Sequence, residues 1–128
     1  MTDQEIIKIF LDTQEWQTFE CKRAAIKPAD LLETVVAFAN SDGGYIVIGL
    51  EDPTKAEGEK RLLGISENQD NVSDFLKLID KEIDPPLLLW GKFELDIINT
   101  KGQVDKLLVF DIKKSNNISS NIYENNDI

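Results

Sequence analysis

Ala37-Phe38-Ala39-Asn40-Ser41-Asp42-Gly43-Gly44-Tyr45-Ile46-Val47-Ile48-Gly49 is the stretch whose reading decides the fold. Upstream of it, Leu31, Leu32, Val35, Val36, Phe38 and Ala39 recur at helical spacing, and Pro28 and Asp30 suit a first helical turn. The spacing predicts a helix from about Pro28 to Asn40. Asn40 to Gly44 supplies residues that enter left-handed conformations cheaply, and Tyr45 to Leu50 is nearly all β-branched, aromatic or aliphatic. This predicts a tight turn into a central strand. The plainest reading of the glycines is that Gly43 and Gly44 let the chain reverse. Gly49 would then relieve crowding where the strand meets another element.

Working outward, Thr2 to Leu11 reads as a short amphipathic helix capped by Thr2 or Asp3, and Gln17 to Arg23 as a strand with Phe19 and Cys21 on its apolar face. Glu51 to Arg61 is a charged loop, and Leu62 to Ile65 a short edge strand or strand-like return. Val72, Phe75, Leu76, Ile79 and Ile83 form the stripe of a second main helix, with Asp70 or Asn71 as cap and Pro85-Pro86 as stop. Leu88 to Asn99 and Val104 to Lys113 flank Lys101-Gly102 and predict a late β-hairpin. The expected fold class is α+β: a mixed sheet of four or five strands, two main helices packed mainly on one side of it, and a short N-terminal helix. Residues 1–114 form one domain in this reading. Residues 115–128 are a polar tail, or the start of a further strand.

The chain has 128 residues, 41% of them hydrophobic, which suits a single core. It has no apolar run long enough for a membrane span, and Met-Thr-Asp-Gln-Glu lacks the regions of a signal peptide, so a soluble cytoplasmic protein is expected. With no histidine there is no base for serine or cysteine hydrolase chemistry. With one cysteine there is no thiol–imidazole zinc site, and Cys21 reads as a small core residue. The net charge of −10, from 24 acidic and 14 basic residues, has the wrong sign for affinity built on phosphate neutralisation. Against this, Lys22, Arg23, Lys27, Lys60, Arg61, Lys113 and Lys114 could compose a local basic face. They could equally be solvated surface charges.

Together, A-F-A-N-x-x-G-G-Y-I-x-I-G-L-x-D, Glu15, Glu20-x-Lys22 and Asp52 resemble the signature of the AlbA-like domain of the Schlafen group. The resemblance runs from about Gln14 to Tyr123. It implies the DNA-binding domain of a bacterial transcriptional regulator, with DNA or RNA as partner and downstream domains in a longer protein. The physical version is phosphate contact by Lys22, Arg23 and Lys27, helped by backbone N–H groups of the turn around Ser41, Gly43 and Gly44. No cofactor is required for that binding. No helix presents a base-reading face, so weak sequence specificity is expected.

The resemblance also implies a second reading, since some Schlafen proteins cleave structured RNA with two glutamates and an aspartate. By motif these fall on Glu15, Glu20 and Asp52, which would hold Mg2+ or Mn2+, with Lys22 stabilising charge in the transition state. Glu15 and Glu20 are five apart and would face opposite sides of one straight strand, so a turn or bulge near Trp16 or Gln17 is required. A third reading is a non-catalytic interaction module or homodimer built on open sheet edges, with Trp16, Trp90 and Phe93 as candidate anchors.

Overall fold

The computed structural model describes residues 2–12, 19–82 and 90–113. The order is α1 (Asp3–Asp12), β1 (Phe19–Lys22), α2 (Pro28–Ala39), β2 (Gly44–Ile48), α3 (Gln69–Glu82), β3 (Trp90–Ile98) and β4 (Val104–Ile112), with 3-10 turns at Gly58–Arg61 and Ile65–Asn68. The sheet order is β1-β2-β4-β3. β1 and β2 are parallel through the α2 crossover, and the remaining pairings are antiparallel.

Strand register sorts the side chains onto two faces. Ile46, Ile48, Leu108, Phe110 and Ile112 pack with Leu31, Val35 and Phe38 of α2 and Val72, Phe75 and Ile79 of α3. The rings of Phe75 and Phe110 meet edge-on, 5.2 Å apart. On the opposite face Phe19, Cys21, Val47, Val109, Leu107, Leu95 and Ile97 pack beneath Ile7 and Phe10 of α1. Cys21 therefore lies in the core beside Phe19, as its alternation predicts. β2 and β4 are central, which is why their sequences are nearly continuous apolar runs.

Thr2 caps α1: its Oγ1 accepts the Glu5 N–H and donates back to the Glu5 carboxylate. Thr2→Ala should cost about 1 kcal/mol in urea unfolding.

Two expectations change. Of the two forms expected of Leu62 to Ile65, the strand-like return is found and the edge strand is not. Leu62 makes a single bridge to Leu50, Leu63 and Gly64 N–H both donate to the Gly49 carbonyl, and the chain then coils into the second 3-10 turn. α3 begins at Gln69, where the Asn68 carboxamide accepts the Asn71 N–H, so neither Asp70 nor Asn71 is its cap. As expected, the two main helices share one face, and α1 covers the other. The start of the expected first strand, Trp16, Ile83 to Pro86 and the polar tail lie outside the described residues.

The hairpin tip follows its sequence signal. Asn99 Oδ1 accepts the N–H groups of Lys101 and Gln103 across the expected turn.

Candidate functional site

Because β1 and β2 are parallel, their C-terminal ends lie side by side, with Lys22 opposite Ile48 and the Lys22 carbonyl accepting the Gly49 N–H at 2.8 Å. Glu20, Lys22 and Arg23 on one strand thus come to the same end of the sheet as Glu51 and Asp52, which follow the other. The turn between β1 and α2 is fixed by Asn71 of α3, whose Nδ2 donates to the carbonyls of Ala24 and Ile26. It delivers Lys27 to the start of α2.

Most cations at this corner already have anionic partners. Lys22 Nζ lies 2.9 Å from the Glu20 carboxylate, both side chains about 30% exposed on the α2–α3 face of the sheet. Arg23 donates Nε and NH2 to Glu67 at 3.0 and 2.8 Å and reaches Glu51 at a longer 3.5 Å. Its guanidinium pKa is raised, first by the hydrogen bond to Glu67 and then by that carboxylate's charge.

Lys27 is the exception. It occupies the N-cap position of α2 in extended conformation (φ −63°, ψ 134°), exposed and making no side-chain cap bond. A cation there opposes the helix dipole and forgoes the cap that Ser, Thr or Asp would provide.

The expected basic face is not assembled. Arg61 is buried at 2% exposure, and Lys113 is held by Asp111 at 2.7 Å. Lys114 lies outside the described residues.

Nor does the structure bring the Ser41–Gly44 turn to Lys22 and Arg23. The turn opens β2 and the cations stand at its far end, about 13 Å along the strand. The N–H groups of Ser41 and Gly43 and the Ser41 hydroxyl all donate to the Phe38 carbonyl, closing the end of α2. Gly43 and Gly44 have φ of 76° and 145°, so their evident work is the chain reversal.

For the carboxylate triad, Glu15 lies outside the described residues, Glu20 is engaged by Lys22, and Asp52 Oδ1 accepts the backbone N–H and hydroxyl of Thr54 at 2.8 and 2.7 Å. These Thr54 bonds, backbone first, hold the Asp52 carboxyl below the usual range. Among the described residues no three metal-ligating side chains gather, so these residues do not by themselves compose a cation site.

Glu51, Glu67 and Asn71 shape the corner and were not among the site residues expected from sequence. Glu67 and Asn71 act across 44 and 47 residues, a separation without local signal. Glu51 stands inside the Gly-Leu-Glu-Asp match and was the one within reach.

A family model described as Schlafen, AlbA_2 matches residues 15–128. A comparison with curated proteins finds no match. Among solved structures, the chain is similar to the solution NMR structure of the N-terminal domain of an ATP-dependent DNA helicase RecG-related protein from Nitrosomonas europaea. The identity is 21% over 91% of this chain and 75% of that one, with a TM-score of 0.61. At that identity the likeness concerns the fold.

Proposed function

The chain belongs to the Schlafen AlbA_2 family, and on that premise we propose that it is a nucleic-acid-associating domain that meets phosphates at the corner between β1 and α2. The observation that carries this reading is Lys27: a lysine at a helix N-cap costs the fold stability without a compensating bond, as residues kept for a ligand do. The first-turn N–H groups and the cations Lys22 and Arg23 beside it would complete the phosphate contact. The nearby helicase-related structure is compatible with such a domain inside a longer regulator acting on DNA. Because Lys22 and Arg23 exchange one carboxylate partner for a phosphate, few counterions are released and the affinity is modest. Contacts to phosphate alone give weak sequence preference.

The test is gel retardation of labelled duplex DNA and hairpin RNA over a salt series, in EDTA and in Mn2+. Lys27→Ser should raise folding stability by about 0.5–1 kcal/mol through the new cap, yet weaken binding and lower the salt slope by about 1. Glu67→Gln, which removes the nearer of Arg23's two carboxylate partners, should bind more tightly with a steeper salt slope. Opposite signs for stability and affinity in Lys27→Ser are not expected of a purely structural lysine. No retardation at low salt would sink the reading. Mn2+-dependent cleavage abolished by Glu20→Ala would replace it with the carboxylate nuclease, in which Glu15, Glu20 and Asp52 share the metal.

A further inference from the structure

The two edges of the sheet are unequal: β1 has four residues and β3 nine. No described strand pairs with the outer side of β3. The direction of its free backbone groups follows from the hairpin tip. Asn99 N–H donates to the Gln103 carbonyl, so odd-numbered residues turn their backbone groups toward β4, and Lys92, Glu94 and Asp96 turn theirs outward. Asp96 N–H accordingly meets the Asp3 carboxylate at 3.4 Å, which closes the edge at that point. Lys92 and Glu94 are exposed on one face of this edge, and Phe93, 39% exposed, stands between them on the other.

An exposed edge of this length recruits another strand unless it is blunted. We infer that it recruits a second copy of this chain, β3 against β3, antiparallel about a two-fold axis through Phe93, joining two four-stranded sheets into one. The charges choose the register. Centred on Phe93, Lys92 lies opposite Glu94 of the second copy in both directions, and the outward groups of these residues exchange backbone hydrogen bonds. Phe93 then faces its own copy in the close, non-hydrogen-bonded pair that suits two aromatic rings.

The neighbouring registers are worse. Centring on Lys92 opposes Lys92 to itself, and centring on Leu95 opposes Glu94 to Asp96 twice. Centring on Glu94 opposes that residue to itself. The inference does not rest on nucleic-acid association and fails separately from it.

Sedimentation of the full chain in about 0.15 M salt, which screens the net charge but not adjacent pairs, tests it. The expected particle has twice the 14.5 kDa chain mass and dissociates on dilution. Lys92→Glu and Glu94→Lys should each weaken the dimer about tenfold, and the double exchange should restore it. Under mild oxidation Phe93→Cys should form a disulfide-linked dimer and Glu94→Cys should not, since Cys21 is buried and cannot supply the link. A chain that stays monomeric up to about 1 mM overturns the inference. So does a dimer indifferent to the charge exchange, and crosslinking through Glu94→Cys alone overturns the register.

Discussion

Gly64→Ala should destabilise the protein by about 3–5 kcal/mol in urea unfolding, more than most single methyl additions. Gly64 has φ of 82°, which already strains an L-residue, and a Cβ there would run into the Asp105 carboxylate. That carboxylate cannot move aside cheaply. It is 6% exposed and accepts the Ser66 N–H and hydroxyl, the Asn99 carboxamide and the Lys106 N–H, tying the second 3-10 turn to the foot of the hairpin. Any displacement leaves buried donors unpaired, at about 1–3 kcal/mol each. A Cβ on Gly49, whose φ is 100°, would in turn lie 2.9 Å from the Gly64 carbonyl carbon, so the two backbones are in contact. Gly49→Ala should therefore fall in the same range.

The same network predicts an acid response. Burial by itself would raise the Asp105 pKa, but the bonds from Ser66, Asn99 and the two backbone N–H groups outweigh it and hold the carboxyl below its ordinary value. A lowered folded pKa means the unfolded chain binds the proton more readily. The contribution is therefore complete above the unfolded value of about 3.9 and is lost as pH falls through the lower folded value. Asp105→Asn should be less stable at neutral pH and should flatten the stability profile below about pH 4. An unchanged profile would mean that folding does not shift the Asp105 pKa.

What the sequence disclosed and what it hid divide along physical lines. The helix ending near Asn40, the turn, the central strand and the hairpin follow from apolar periodicity and turn chemistry, which are local. The crowding at Gly49 was also legible as to kind, though not as to partner: nothing in Leu63-Gly64-Ile65 announces that a second glycine supplies the opposing surface. Residues 62–65 form no edge strand because their order comes from coiling back onto Gly49 and Asp105 rather than from alternation. At the corner, the cationic residue types were readable but their neutralisation was not, since Arg23 meets Glu67 only after the chain has crossed the sheet.

Arg61 is the sharpest case, and Arg61→Ala should cost about 3–5 kcal/mol. Among surface charges in the sequence it looks like one more solvated cation, with a Lys before it and a charged loop around it. The 3-10 turn folds it inward, and the guanidinium donates Nε to the Glu51 carbonyl at 2.8 Å, NH1 to the Leu11 carbonyl at 3.1 Å and NH2 to Cys21 Sγ at 3.2 Å. One planar group thus joins the last turn of α1, the edge strand β1 and the segment leaving β2, which no single backbone element connects. Among the described residues none of these bonds goes to a carboxylate, so the charge is held by carbonyl dipoles and the favourable C-terminal end of α1. Alanine would leave two carbonyls unpaired beside a cavity. Lysine should recover little, because an ammonium on a flexible stem cannot address three fixed directions. Methionine separates the contributions: it restores volume without donors, so a variant nearly as stable as the native chain would assign the cost to packing, whereas a loss close to that of alanine would assign it to the three hydrogen bonds. Hydrogen exchange should then accelerate first at the C-terminal turn of α1, the element whose hold on the sheet depends most on this one side chain.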